Sequence, residues 1–356
     1  MKKMTVGEIA KLSGVSKATV SRVLNSTAQV SDDVRLKVES VIEQTGYKKK
    51  NQKVQFSLDF QKITIISDEE DVTTPNSFFS AILHGLKQEA AKLDLQLELV
   101  LKNQIQNPNV FESKLQASEA VIMIGMDNVS LLKQIQSHDL PLIIMNGVDP
   151  EMHVSSISPD YELGAFLATS VLAQHNHKNI KLVTADIKHS TYQRTEGFRR
   201  AMLMLDLPYD SKENIIDLVK HADSIDDTGQ LKALIKKRAA GMDFGASQIL
   251  PTLAKQGMFS DCSAVFCMCD MIAISLIDAL TEAGLKVPQD ISVIGFDDLN
   301  ISSMTSPPLT TIRTDYTKLA ASAIHMLIQA ARDQDQMATR SNVGVKLISR
   351  DSIKHL

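Results

Sequence analysis

From residue 62 onward, short apolar runs alternate with longer segments whose apolar residues recur three and four positions apart. Ile63-Thr64-Ile65-Ile66 reads as a buried strand, and Phe79, Ile82, Leu86, Ala90 and Leu93 mark one face of a helix. A strand resumes over 97–101, and the unit repeats through Ala120-Val121-Ile122-Met123-Ile124 and Leu142-Ile143-Ile144-Met145. A second series follows, with helices over 161–173, 193–205 and 272–280 and strands over 180–183, 264–268 and 292–294. Strands that are apolar throughout and separated by helices belong to parallel sheets covered on both faces. Two such series predict two doubly wound lobes. A chain of 356 residues, 44% apolar and 22% charged, is long enough for two or three packed units.

Parallel sheets of this kind bind ligands beyond the carboxyl ends of their strands, and two facing lobes form a cleft. The strand ends are therefore where ligand-binding side chains are expected.

The first sixty residues differ. They hold eleven Lys or Arg against six Asp or Glu, while the other 296 carry the excess of acid that makes the whole chain −4. Such asymmetry points to nucleic acid at the basic end. Thr5-Val6-Gly7-Glu8 reads as a capping box opening a helix with Ile9, Ala10 and Leu12 on its apolar side. Ser13-Gly14 breaks it, and Ser16 caps a second helix from Lys17 to about Leu24. A third runs from Ser31 with Val34, Val38, Val41 and Ile42 on one face. This is a helix-turn-helix, whose second helix enters the DNA major groove. Val20, Val23 and Leu24 point inward, which leaves Lys17, Ala18, Ser21 and Arg22 to read bases. Thr5, Ser16, Thr19 and Asn25 are short polar groups suited to phosphate oxygens. On the pattern alone, a three-helix bundle with a polar face is the competing reading.

The run from Thr5 to Asn25 closely resembles the headpiece of the lac repressor (LacI/GalR) family of bacterial transcription regulators. The resemblance continues through Val30-Ser31 and Gly46-Tyr47. It returns in residues 287–298, Val287-Pro288-Gln289-Asp290-Ile291-Ser292-Val293-Ile294-Gly295-Phe296-Asp297-Asp298, and in Pro307-Pro308-Leu309-Thr310-Thr311-Ile312. The resemblance implies an all-α helix-turn-helix headpiece over 1–47 and a hinge or linker over 48–61. An α/β periplasmic-binding-protein-like body of two doubly wound parallel-sheet lobes then follows over 62–356, for effector binding and dimerisation. Lobe one is expected over about 62–157 and 315–343, and lobe two over about 158–314 and 344–356, with crossings near Ser158, near Thr314 and near the C-terminus. The family's hinge contains proline and wedges an apolar side chain into the minor groove. Residues 48–57 have no proline, and Lys53 stands where a small residue is usual; Phe56 falls at the wedge position. A minor-groove wedge and a basic linker rich in lysine are both open here.

In the body, the resemblance makes Arg194 the ligand-binding arginine and Asp297 the carboxylate that accepts from sugar hydroxyls. Asp270 follows Cys269, which stands where relatives often have asparagine, so the preferred ligand is expected to differ from theirs. A carboxylate accepts adjacent hydroxyls in pairs and a guanidinium donates to them. From spacing alone, Asp297 reads as a helix cap and Arg194 as a surface ion pair. Asn146, at a strand end, and Phe78 and Phe79, opening a helix, are further pocket candidates.

The implied function is a homodimeric repressor on near-palindromic operator DNA, released by a sugar such as a galactoside. The rival within the family is a corepressor-dependent regulator of the purine repressor type; outside it, a sugar receptor that does not touch DNA is disfavoured by the headpiece. No glycine-rich phosphate loop, Gly-x-Ser-x-Gly elbow or paired-carboxylate cluster suggests an enzyme, and no cofactor or metal is expected. Cys262, Cys267 and Cys269 suit packing in a reducing compartment. No apolar run approaches the roughly 18 residues of a membrane span, and the polar start predicts a cytoplasmic protein. The tail after Ser349 has no leucine heptads, so a tetramer-forming appendage is not expected. Residues 210–245 give no residue-by-residue match.

Overall fold

The computed structural model describes residues 5–25, 30–45, 60–67, 70–75, 77–237, 240–333 and 337–356. The chain divides into two units, residues 1–58 and 59–356.

In the first unit, helices span Val6–Ser13, Lys17–Asn25 and Asp32–Thr45. The capping box forms as read: the Glu8 amide donates to Thr5 Oγ1 at 3.3 Å and the Thr5 amide to Glu8 Oε2 at 2.8 Å. Gly14 ends the first helix in the left-handed conformation, φ 67°, which glycine adopts without steric cost. Ile9, Ala10, Val20 and Val38 form the buried centre of this small bundle, with Val15, Val23, Val41 and Ile42 packed around them.

The second unit contains two six-stranded sheets. β1 (Lys62–Ser67), β2 (Gln96–Leu101), β3 (Ala120–Ile124), β4 (Leu142–Met145) and β5 (Ser155–Pro159) form the first in the order β2-β1-β3-β4-β5. β6 (Ile180–Thr184), β7 (Ile215–Asp217), β8 (Ala264–Cys267), β9 (Ser292–Asp297) and β10 (Thr310–Thr314) form the second in the corresponding order β7-β6-β8-β9-β10. β11 (Arg340–Val343) adds to β5 in parallel, and β12 (Val345–Ile348) adds to β10 antiparallel. The interior strands β3, β4, β6, β8 and β9 are buried along their whole length, as a sheet covered on both faces requires.

The chain passes from one sheet to the other three times: between β5 and the Tyr161–Gln174 helix, between β10 and the Tyr316–Arg332 helix, and at Gly344 between β11 and β12. The Tyr161–Gln174 helix packs on β8, β9, β10 and β12, whereas the Tyr316–Arg332 helix packs on β3, β4 and β5. β5 was not read from the sequence because three serines and a proline interrupt its apolar character. The helix expected over 193–205 begins earlier, at His189. Gly197 lets the Tyr161–Gln174 and His189–Met204 helices approach closely: a Cβ there would lie 2.2 Å from the Glu162 carbonyl oxygen.

Candidate functional site

The expected base-reading residues lie on the Lys17–Asn25 helix. Val20 is buried against the bundle while Lys17 and Arg22 are exposed; Ala18 and Ser21 share the same helix. Ser16 accepts the Thr19 amide at 3.1 Å, and the two hydroxyls share a hydrogen bond at 2.8 Å. Thr5, Ser16 and Thr19 thus hold helix N-termini, where a phosphate is also favoured; Asn25 closes the second helix. Lys53 and Phe56 lie outside the described residues.

In the body, a cavity of about 340 Å³ is lined from both sheets' sides. Phe78 and Phe79, at the start of the Phe78–Lys92 helix, and Asn146, just past β4, line it from one side. Arg194, Cys269 and Asp297 line it from the other. Sequence reading had singled out each of these six, and the fold brings them together, Asn146, Cys269 and Asp297 from strand ends and the other three from helices.

Asp270 is not among the lining residues. Its carboxylate turns into the second lobe, where Oδ2 accepts from the Leu299 amide at 2.8 Å and the Ser302 hydroxyl at 2.6 Å, and Oδ1 from the Thr311 hydroxyl at 2.5 Å. Asp270 opens a helix directly after Cys269, and this one-residue step sends the two side chains to different places. Its assignment to the effector site is corrected to a structural one. Burial pushes its carboxyl up to about 7 despite these three donors.

Arg194 and Asp297 form the centre of the cavity's polar side. Arg194 is 6% exposed and Asp297 4%. Neither the surface ion pair nor the helix cap that spacing suggested is present: Arg194 Nη2 donates to Asp297 Oδ1 at 3.2 Å inside the protein. The guanidinium lies over the Tyr161 ring at 4.1 Å and the Phe296 ring at 4.5 Å, and such faces attract a desolvated cation. Arg194 Nε is buried without a hydrogen-bond partner. Asp297 adopts φ 106°, rare for a residue with a side chain, and its carbonyl accepts from the Tyr316 hydroxyl at 3.1 Å. Burial pushes its carboxyl up to about 8, against the opposing pull of Arg194.

The next residue ties this centre to the crossings. Asp298 accepts from Arg350 Nη2 at 2.5 Å and from Arg313 Nε on β10. Tyr161, at the first crossing, donates its hydroxyl to Asn146 Oδ1. Sequence reading missed Tyr161, because it opens a helix and is as buried as any core aromatic. It also missed Met242 and Phe244, which line the cavity from the segment that could not be matched. Gly241 (φ 86°), Phe244 (φ 56°) and Gly245 (φ 76°) form a loop there whose shape no periodic pattern announces.

Cys267 and Cys269 are buried in the second lobe's core cluster, as packing predicts. Among the described residues no group of three or more His, Cys, Asp or Glu side chains is placed to hold a metal ion. Among the described residues, no helix is long and apolar enough to cross a membrane.

A helix-turn-helix carried on one chain with a two-lobed, periplasmic-binding-protein-like body defines a DNA-binding transcriptional regulator. Residues 5–50 match the family described as bacterial regulatory proteins, lacI family. Residues 61–231 match the periplasmic binding proteins and sugar binding domain of the LacI family, and residues 169–353 the periplasmic binding protein-like domain. The chain belongs to the LacI family of bacterial regulators. It is 27% identical to the HTH-type transcriptional repressor PurR of Haemophilus influenzae, over 99% of each chain, and 26% identical to PurR of Pasteurella multocida, over 98% of each. Similar solved structures include the transcriptional regulator CelR in complex with cellobiose, with TM-score 0.68, 21% identity, and 98% of this chain and 99% of that chain covered. Another is the lac repressor dimer bound to operator and the anti-inducer ONPF, with TM-score 0.62, 21% identity, and 99% and 100% covered.

Proposed function

We propose that this regulator is a cytoplasmic homodimer that represses transcription from a near-palindromic operator and is released when a sugar binds between the lobes. The observation that carries the sugar reading is the buried Arg194–Asp297 pair at the cavity wall. A carboxyl that accepts in pairs once ionised stands beside a guanidinium, and a polyhydroxylated ring supplies donors to the one and acceptors to the other. The Cys269 thiol offers nothing equivalent to an amide here, because burial pushes it up to about 12 and leaves it a weak donor.

In a homodimer, two Lys17–Asn25 helices read successive major grooves about 10 bp apart. A sugar that closes the cleft alters how the two first lobes meet, and the coupling is reciprocal, so operator weakens sugar binding by the same factor. A gel shift of full-length protein on fragments selected from random DNA tests the first half: near-palindromic fragments are recovered, and a carbohydrate screened by thermal shift releases them. Recovery of no specific DNA sinks the regulator reading for this chain.

A second reading has its own support. The PurR relatives, which match over 98–99% of this chain, favour a corepressor that strengthens DNA binding, and the rings of Phe78 and Phe244 in the lining suit a flat base. The gel shift separates the two by sign, with hypoxanthine or guanine retarding more DNA rather than less.

A further inference from the structure

Gly7 stands in the first turn of the Val6–Ser13 helix, and its φ is not positive. No turn there requires glycine, and glycine is less favourable in a helix than any residue but proline. What the missing side chain leaves is room. A Cβ on Gly7 would lie 3.0 Å from Cε and 3.6 Å from Nζ of Lys17, and 3.8 Å from Thr5 Oγ1. The stem of Lys17 therefore runs across Gly7, and its ammonium shares the space over that glycine with the Thr5 hydroxyl.

This direction follows from where Lys17 sits. It is the first residue of the Lys17–Asn25 helix, and side chains on a helix lean toward its N-terminus. Residue 17 thus leaves its helix backwards, toward the start of the preceding one. The positive end of the helix dipole repels an ammonium, and no acidic residue stands in the helix's first turn to offset this. Glu8, across from it, is committed to the cap, its Oε2 accepting from the Thr5 amide at 2.8 Å and the Thr5 hydroxyl at 2.9 Å. An ammonium is a compact point charge that suits a phosphate, whereas a planar fork such as that of the exposed Arg22 suits the paired acceptors of guanine. We infer that Lys17 binds a DNA phosphate and not a base edge, held to that task by the space over Gly7, so that direct reading passes to Arg22 and its neighbours on the outer face. This departs from the base-reading role that the sequence suggested for residue 17.

The test uses full-length protein and two DNAs, a random-sequence duplex and a fragment selected by the protein from random DNA, with affinity measured over a series of salt concentrations. Lys17→Met weakens binding to both by the same factor and lowers the slope of log affinity against log salt by about 0.9 for each headpiece engaged. The sequence that Lys17→Met selects is the same as the parent's. Gly7→Leu fills the strip with a chain that cannot hold a phosphate and lowers the slope by the same amount, while a melting curve confirms that the headpiece is folded. Added to Lys17→Met, it costs nothing further, because both changes remove one contact. A Lys17→Met loss confined to the selected fragment, with one base of the selected sequence changed, overturns the inference and makes Lys17 a base reader. No loss on either DNA also overturns it and leaves Lys17 to packing within the headpiece. A slope lowered by Lys17→Met but untouched by a folded Gly7→Leu overturns the part assigned to Gly7.

Discussion

The Tyr161 hydroxyl donates to Asn146 Oδ1, a bond that joins the end of β4 in one lobe to the first helix of the other. The ring of the same tyrosine lies 4.1 Å from the guanidinium of Arg194. One side chain therefore touches both the cation that lines the cavity and the opposite lobe. Tyr161→Phe keeps the ring and deletes the bond, leaving the buried Asn146 amide short of a partner. Urea unfolding should show a loss of about 1–3 kcal/mol. A variant as stable as the parent would mean that water replaces the hydroxyl at no cost.

The Arg194–Asp297 pair predicts a pronounced asymmetry between single and double substitution. At about pH 9, where Asp297 is ionised in the parent, Arg194→Met leaves that carboxylate buried beside apolar rings without its cation, and breaking a buried pair costs about 3–5 kcal/mol. Arg194→Met with Asp297→Leu removes both charges, so much of that loss should return. Equal or additive losses across this cycle would show that the pair's charges are not coupled.

Two carboxyls make stability depend on pH in a specified direction. In the folded protein Asp270 titrates at about 7 and Asp297 at about 8, both raised by burial from an unfolded value near 3.8. Between pH 4 and 8 the folded state holds protons that the unfolded state has released, so stability falls as pH rises through that window and levels above it. Melting temperatures from pH 5 to 9 check this, and Asp270→Asn should flatten the part below pH 7. Ligand affinity should run the opposite way, rising toward pH 8 as Asp297 ionises into a better acceptor.

In the headpiece, cap and reader should separate. Thr5→Ala removes the capping hydroxyl and costs about 0.5–2 kcal/mol of helix stability, weakening all DNA binding alike. Arg22→Ala costs about 1–3 kcal/mol on the selected operator and little on random DNA. Competition gel shifts distinguish them, and an equal loss on both DNAs would assign Arg22 to phosphate.

Gly197→Ala should be among the most damaging small substitutions in the body. Its methyl would sit 2.2 Å from the Glu162 carbonyl oxygen and 2.9 Å from Ala165 Cβ. The two helices must separate to admit it, which displaces Arg194 three residues earlier. Calorimetry should show a lower melting temperature together with weakened ligand binding.

How much of this was legible in the sequence follows from where each signal resides. β3 and β4 announce themselves because a strand buried on both faces is apolar at every position, β1 because Ile63, Ile65 and Ile66 cluster around a single threonine, and the first helix because Thr5 and Glu8 carry its cap. β5 and β7 do not, since Ser155, Ser156 and Ser158 break one run and the other is three residues long. At the site, Arg194 and Asp297 were reached through motif resemblance, whereas spacing alone suggested a surface pair and a cap. Tyr161, Met242 and Phe244 were missed because nothing local marks them. Tyr161 matters through Asn146 and Arg194, fifteen residues before it and thirty-three after. Met242 and Phe244 matter through a loop shape set by Asp243, which accepts from the Gly245 and Ser247 amides.

The two sheets are completed by the same short stretch of chain. Arg340–Val343 closes one and Val345–Ile348 the other, with Gly344 alone between them. During synthesis, neither lobe possesses its full complement of strands until residues 340–348 have left the ribosome. A premature stop between residues 315 and 339 would therefore strip an edge from both lobes at once, leaving two unsealed sheets exposed to aggregation instead of one finished lobe and one damaged one.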